Sequence, residues 1–335
     1  MTILTVTKLS DELFLRPIVI SMNSLALSSF MSYVMSASGK LDWRPIIICV
    51  TSDVLAIGID HLKDKEEVFS SNHNNARDPH LACWFVYART FLTANAVLLA
   101  FALSVCPIST VLATAAFVLP ALLWTTPLNF AKFGLVLKRL LWRSVKDEDE
   151  HQLPVSAPIL VIKRIPGMKA IFNGIIRGCG IHTVVLTVLS RSGSLADTLP
   201  SPWSTVQLIV WSTVNRSCHA IMTDVRDFED DMKTGVPTIP VCLGSIRKTK
   251  VILTVCHMLV MLAFIENPYI TGSCLFATAL VWILGKNSPK KGLFAEFSFA
   301  VLIHYLVSIE EACLAFRVLV VRNILFLTAK FVGIL

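Results

Sequence analysis

Long apolar runs constrain the fold of this chain more than any other feature. A helix needs roughly 20 apolar residues to cross a bilayer, and about nine runs approach that length. They are residues 17–38, 44–60, 81–105, 108–128, 170–190, 203–223, 250–266, 268–285 and 294–316. The chain has 335 residues, is 54% hydrophobic and has a mean hydropathy of +0.67, which is too apolar for a soluble domain. We therefore predict an all-α, polytopic protein of the lipid bilayer, folded as a single transmembrane domain over residues 1–335.

The charged residues lie mostly between these runs and predict the topology. The net charge is +7, and the loops after the second, fourth and sixth runs hold 15 of the 30 lysines and arginines, against 5 in the other loops. Because cytosolic loops are rich in these residues, we place these loops and the N-terminus in the cytosol, and we expect the endoplasmic reticulum membrane. The basic residues thus indicate topology and not nucleic-acid binding. The sequence identifies no protein partner.

A group of acidic residues, the second acidic motif (residues 224–231), stands at the cytosolic end of the sixth run. Asp224, Asp227 and Asp231 are spaced i, i+3 and i+7, so on a continuous helix they share one face. Carboxylates on one face repel each other unless a cation lies among them, and their oxygens suit a Mg²⁺ ion that also holds phosphates. Gly235 is expected to end the helix. The alternative is a solvated helix end with acidic caps.

A first acidic motif, residues 53–67, begins inside the second run and continues past its end. Asp53, Asp60, Asp64 and Glu67 recur at helical spacing on one face. Asp53 lies inside the apolar run, where a charge is costly and usually functional, whereas the other three could form an ordinary polar helix end. Both motifs follow even-numbered runs, so they should lie on the same side of the membrane. Two facing clusters of carboxylates could then bind one Mg²⁺–diphosphate.

The second motif and the residues after it resemble the UbiA superfamily of intramembrane prenyltransferases. In that family an Asp-x-x-Asp-x-x-x-Asp segment continues into a Lys-x-Gly-x-x-Thr-x-Pro-Val tail. The tail is matched here by Lys233, Gly235, Thr238, Pro240 and Val241. The resemblance implies a UbiA-like helical bundle around a central cavity that opens at the two acidic motifs.

The first motif resembles the family less closely. Aligning Asp60 and Asp64 with its last two acids leaves Ala56 and Ile57 where the family has Asn and Asp. The result is similar to the reduced Asp-x-x-x-Asp form of divergent UbiA-like proteins. Asp53, two helical turns earlier, could partly replace the missing acid.

The cytosolic loop 129–169 also departs from the family. Thr125 and Asn129 stand where the family often has the Tyr and Lys of Tyr-x-Pro-Leu-Lys, and Lys132 follows one turn later. Lys132 is either a diphosphate contact or a positive anchor at the membrane surface. Lys169 ends a basic segment that resembles the family's approach to the fifth helix, and membrane contact explains those charges almost as well.

Resemblance and residue pattern together give the expected site. The catalytic residues are expected to be Asp60, Asp64, Asp227 and Asp231, and the Mg²⁺ ligands are these four with Asp224. The expected diphosphate-binding residues are Lys132, Lys169, Arg226 and Lys233, and the expected cavity residues are Asp53, Asn129 and Asn215. Asn215 could equally form a hydrogen bond between helices. Arg177 and Arg216, within apolar runs, should pair with acids and orient helices.

The resemblance leaves more than one reaction open after a prenyl diphosphate is ionised. The compact size, reduced first motif and altered fourth span are similar to those of fungal UbiA-type terpene cyclases of the cyathane-type diterpene class. This similarity implies intramolecular cyclisation of geranylgeranyl diphosphate to a hydrocarbon in secondary metabolism. The alternative is prenyl transfer to an aromatic or lipid acceptor. A transporter with intramembrane acids is a third interpretation, but it predicts acids dispersed along a pathway.

Overall fold

The computed structural model describes residues 6–71, 79–122, 165 and 167–284, and this part of the chain is built from helices. A single β-bridge, between Ser36 and Leu195, lies outside them. In chain order the helices are α1 Val6–Met35, α2 Trp43–Ser71, α3 Pro79–Ser104, α4 Ile108–Leu122, α5 Met168–Arg191, α6 Thr205–Arg226, α7 Phe228–Thr234, α8 Ile239–Leu243, α9 Ile246–Ala263 and α10 Pro268–Ile283. Single π-helical turns interrupt α1 at Asp11–Leu15 and α5 at Ile176–Gly180.

Four of the described helices are long and apolar enough to cross a membrane, judged by length and composition. They are α1, α2, α3 and α5, which coincide with the first, second, third and fifth predicted spans. Helices α4 and α10 are apolar but shorter, and α6 and α9 carry more polar residues. The ninth predicted span, 294–316, lies outside the described residues. The all-α prediction therefore holds for this part of the chain, and the count of nine spans is not confirmed.

Two predicted boundaries differ from the structure. Helix α1 begins at Val6, well before the predicted residue 17, and α2 continues to Ser71 instead of ending near residue 60. Glu12 links the two polar extensions, because it accepts a hydrogen bond from Arg16 at 2.7 Å and lies 3.2 Å from the imidazole of His61. Hydropathy marks where a helix leaves the apolar layer, not where its backbone hydrogen bonding ends.

Backbone hydrogen bonds where α1 and α5 end show the relative direction of the two helices. The Ala37 amide donates to the carbonyl of Ser194 at 2.9 Å, and the Ala196 amide donates to that of Met35 at 3.0 Å. Helices α1 and α5 therefore run parallel and end together. Because a short connection turns the chain back into α2, which packs on both, α2 ends where α5 begins. We call this the acidic end of the bundle, since Asp60 and Asp64 of α2 lie there.

Helices α5 and α6 pack closely and antiparallel. A Cβ atom added to Gly174 would lie 1.9 Å from Oγ of Ser217, and one added to Gly178 would lie 2.5 Å from Cα of Thr213. The two glycines are one turn apart, a spacing that lets helix backbones approach each other. The start of α5 is thereby placed against the end of α6, which brings the second acidic motif to the acidic end.

Aromatic rings hold the opposite end together. Phe30 of α1 packs edge-on against Trp203 and Trp211, with ring centroids 5.2 and 5.9 Å apart. Each such pair contributes about 0.5–1.5 kcal/mol beyond its buried area. A capping box between Ser204 and Gln207 starts α6 beside this cluster. The scaffold that positions the acidic end is thus anchored at its far side.

Candidate functional site

The second acidic motif spans a break between two helices. Helix α6 ends at Arg226, Asp227 is its C-cap with φ −89° and ψ 8°, and α7 restarts at Phe228. The prediction of one continuous helix through Asp231 is therefore wrong. The peptide carbonyl of Asp227 accepts the amide hydrogens of the new turn, including that of Asp231 at 2.9 Å. Helix α7 ends as predicted, because Gly235 takes a left-handed φ of 69° at its C-cap.

Lys169 joins the acidic motif from the first turn of α5. Its Nζ donates to Oδ1 of Asp224 at 2.5 Å, and the Asp224 side chain is only 3% exposed. Burial raises the pKa of Asp224, and the charges of Asp231 and Asp227 add to this effect, while Lys169 opposes it. Burial also raises the pKa of Asp231, again opposed by Lys169. Asp224 and Asp231 therefore share one nearby cation, and both sense the charge of Asp227.

The other predicted diphosphate-binding residues are placed differently. Arg226 is 9% exposed and holds Asp227 through two hydrogen bonds of 2.8 and 2.6 Å. Lys233 is 72% exposed, and its contact with an acid is a long one, 3.9 Å, to Asp230. Lys132, like the predicted cavity residue Asn129, lies outside the described residues. Among the described members of the predicted set, Lys169 is thus the cation that reaches the buried acid.

The first acidic motif lies at the same end of the bundle. Asp60 is half-buried and Asp64 exposed on the extended part of α2. Their neighbour His61 is held by Glu12 of α1, a contact that sequence reasoning missed because α1 was expected to start later.

The carboxylate oxygens of both acidic motifs are of the chemical type that binds Mg²⁺. Within the described residues, however, no three His, Cys, Asp or Glu side chains are grouped so as to hold a metal ion. The convergence of both motifs on one ion stays a prediction.

Asp53 lies inside the bundle and has a partner of its own. Its Oδ2 is 3.1 Å from Nη2 of Arg177 and accepts a hydrogen bond from Ser24 at 2.5 Å. The position is seven residues before Asp60, about 10 Å deeper along the helix. Asp53 is therefore neutralised by Arg177 and does not stand beside Asp60 as a replacement for the missing acid, whereas the predicted pairing of Arg177 with an acid is confirmed.

The Asp53–Arg177 pair lines a small cavity between α1, α2, α4 and α5. Its volume, measured for the centres of water molecules, is about 50 Å³. The buried hydroxyls of Ser52 and Thr114 also line it and have no hydrogen-bond partner among the described residues. A cavity needs roughly 10–15 Å³ by this measure to hold one water, so several can enter. Asn215, half-buried on α6, does not belong to this lining.

These features define an all-helical protein with membrane-spanning helices and a cluster of acids and one lysine at one end of the bundle. The model of the UbiA prenyltransferase family matches residues 157–302, which make up less than half of the chain and include Lys169 and the second acidic motif. This segment is therefore similar to the UbiA prenyltransferase family. No curated protein matches the chain.

A solved structure supports the same fold. The structure of a UbiA homolog from Archaeoglobus fulgidus covers 94% of this chain and 99% of its own, at 14% identity and a TM-score of 0.52. Two structures of a UbiA homolog from the same organism, bound to DMAPP and Mg²⁺ and to GPP and Mg²⁺, are 14% and 13% identical with TM-scores of 0.48. They cover 96% and 97% of this chain and the same shares of their own. The first likeness, at a TM-score of 0.52, shows a UbiA-like fold. The fungal terpene-cyclase subgroup stays a prediction.

Proposed function

We propose that this protein is a membrane-bound UbiA-type enzyme that ionises a prenyl diphosphate with Mg²⁺ and cyclises the prenyl chain to a terpene hydrocarbon. The observation that carries the proposal is the cluster of Lys169 with Asp224 and Asp231 at the bundle end where Asp60 and Asp64 also lie. The match of this segment to the UbiA family supports it. Geranylgeranyl diphosphate is the proposed substrate, and the acidic end is proposed to face the cytosol from the endoplasmic reticulum membrane.

The chemistry follows from the charges at this end. When bound, Mg²⁺ supplies the positive charge that stabilises a departing diphosphate. Asp227 and Asp231 are proposed to bind the ion, and Lys169 to contact the diphosphate oxygens. The allylic C–O bond then breaks with its electron pair on the diphosphate, leaving a carbocation. A double bond of the same chain attacks the cation, and loss of a proton gives the cyclic alkene. Apolar helix walls are required to exclude water.

Transfer of the prenyl group to an aromatic or lipid acceptor is the second candidate. It is favoured by the description of the matching family model as a prenyltransferase family. The two candidates share the ionisation step and the residues proposed for it. They differ in whether the cation is captured by the same chain or by a second molecule.

An acceptor-free incubation tests the proposal and separates the two candidates. Membranes that contain the protein are given Mg²⁺ with either farnesyl or geranylgeranyl diphosphate, and the extract is analysed by gas chromatography and mass spectrometry. A cyclic hydrocarbon is the expected product. A product that forms only after an aromatic or lipid acceptor is added would favour transfer. If neither diphosphate is consumed under any condition, both candidates are refuted.

A further inference from the structure

Two hydroxyl groups inside the bundle are buried and have no hydrogen-bond partner in the described part of the chain. They are Oγ of Ser52 on α2 and Oγ1 of Thr114 on α4, and the two residues are 8% and 4% exposed. The adjacent Thr51, by contrast, donates to the carbonyl of Ile47 at 2.7 Å. Buried hydroxyls need hydrogen bonds, and ordered water supplies them where protein atoms do not. Ser52 and Thr114 therefore require a further ligand.

Both hydroxyls line the cavity that the Asp53–Arg177 pair also lines. Nε of Arg177 donates to Oδ1 of Asp53 at 3.3 Å, and Nη2 lies 3.1 Å from Oδ2. A guanidinium has five N–H donors and a carboxylate about four acceptor sites, so these contacts and the hydrogen bond from Ser24 leave part of that capacity unused. A buried ion pair is stabilised only where additional hydrogen bonds satisfy the remaining groups. The cavity therefore brings together two hydroxyls and an ion pair that all need further partners.

The backbone of α5 departs from regular α-helix at the same place. The π turn Ile176–Gly180 contains Arg177, and both of its end residues line the cavity. Single π turns are rare within α-helices and frequently occur at functional sites. This feature of the backbone is independent of the unpaired hydroxyls, and it marks the same position.

The cavity has the size and the chemistry to hold water. Its volume, measured for the centres of water molecules, is about 50 Å³. One water requires roughly 10–15 Å³ by this measure and two to four polar partners. The walls supply such partners from α2, α4 and α5, whereas a cavity lined by apolar groups alone would stay dry.

We propose that Ser52, Asp53, Thr114 and Arg177 form an internal binding site for a cluster of ordered water molecules. The water satisfies both hydroxyls and completes the hydrogen bonding of the ion pair, so that the two charges persist inside the bundle. Asp53 lies about 10 Å deeper along α2 than Asp60, so the site is separate from the acidic end. The proposal does not depend on the proposed function.

Hydroxyl-radical labelling with a short X-ray pulse tests for this water. The pulse forms radicals from water wherever it lies, and radicals formed inside a protein oxidise side chains that bulk solvent does not reach. Cys49 lines the cavity and is 7% exposed, whereas Cys274 of α10 is 2% exposed and does not belong to the lining. The unaltered protein is irradiated in detergent with a radical scavenger in the buffer, and oxidation is quantified by mass spectrometry.

Cys49 should be oxidised about fivefold faster than Cys274, because water lies beside it. The scavenger should suppress oxidation of Cys83, which is exposed on α3, and should leave that of Cys49 unchanged. Equal rates for Cys49 and Cys274, or suppression of Cys49 together with Cys83, would overturn the proposal.

Variants show whether the two hydroxyls hold the water. Ser52→Ala combined with Thr114→Val removes both of them, and oxidation of Cys49 should fall to about the rate of Cys274. Thr51→Val is the matched control, because its hydroxyl is bound within α2 and does not line the cavity, and it should leave the rate unchanged. Rapid oxidation of Cys49 that persists in the double variant would show that the assignment of the site is wrong. If the double variant does not fold, the comparison of cysteines in the unaltered protein decides.

Discussion

Replacing Arg177 with methionine tests whether the bundle is held together by its internal ion pair. Arg177 is 9% exposed and Asp53 is 13% exposed, with 3.1 Å between Nη2 and Oδ2. The change leaves a buried carboxylate whose remaining partner is the hydroxyl of Ser24. Removing one member of a buried ion pair costs about 3–5 kcal/mol. Because Ser24 and the adjacent cavity partly compensate, we expect a loss near the lower limit, about 3 kcal/mol.

A double variant separates the lost charge from the lost packing. Asp53→Asn combined with Arg177→Met removes both charges, and the amide oxygen introduced at position 53 can still accept a hydrogen bond from Ser24. The double variant should therefore recover most of the stability that Arg177→Met loses. Arg89→Met is the matched control, since its partner Glu66 and Arg89 itself are 35% and 63% exposed. Breaking such a surface pair should cost about 0–1 kcal/mol.

Reversible unfolding provides the measurement. Each variant is solubilised in mild detergent and unfolded by an increasing fraction of sodium dodecyl sulfate, with helix content followed by circular dichroism. The difference in free energy of unfolding gives the cost of each change. If Arg177→Met is no less stable than Arg89→Met, or if the double variant is less stable than the single one, the ion pair does not hold α2 to α5.

Three further predictions concern packing, pH and turnover. Gly178→Ala should destabilise the protein by about 1–3 kcal/mol, because the added methyl group meets backbone atoms of α6. Gly272→Ala is the control, since its added methyl group meets nothing within 4 Å and should not destabilise the protein. Thermal unfolding of the two variants measures the difference. Burial raises the pKa of Asp224 and of Asp231, so both carboxylates take up protons at a higher pH than an ordinary aspartate does. Mn²⁺ titrations between pH 8 and pH 5 should show affinity falling as the pH falls, and without metal this protonation should stabilise the fold rather than weaken it. Asp231→Ala should abolish consumption of prenyl diphosphate while Asp230→Ala, at an 85% exposed position, should not; equal turnover would refute the metal assignment.

Local sequence determined where many of the helices lie. Apolar runs located the membrane-spanning helices because burial in lipid requires continuous apolar surface. Pro107 and Pro268 mark the turns between α3 and α4 and between α9 and α10. At the second of these the side chain of Asn267 caps the amides of Tyr269 and Ile270. Signals of this kind act within a few residues, so sequence reveals them.

The tail after the second acidic motif was informative for a different reason. Its resemblance to the UbiA family agrees with the family match over residues 157–302. A motif with fixed spacing can be recognised even when the rest of a chain has diverged. The spacing did not reveal the break at Asp227, because the backbone conformation at a helix end depends on the direction in which the following residues continue. Nor could hydropathy reveal the polar extensions of α1 and α2, which Glu12 links to His61 across the bundle.

The choice of charge partners was decided by the tertiary structure alone. The sequence placed acids on one helix face. In the structure Asp224 pairs with Lys169, 55 residues away, and Asp53 pairs with Arg177, 124 residues away. Those pairings exist because α5 packs antiparallel on α6 and also against α2, so that its residues reach acids on both helices. A charge selects its partner through distance and burial, and both are set by how helices pack rather than by the order of residues along the chain.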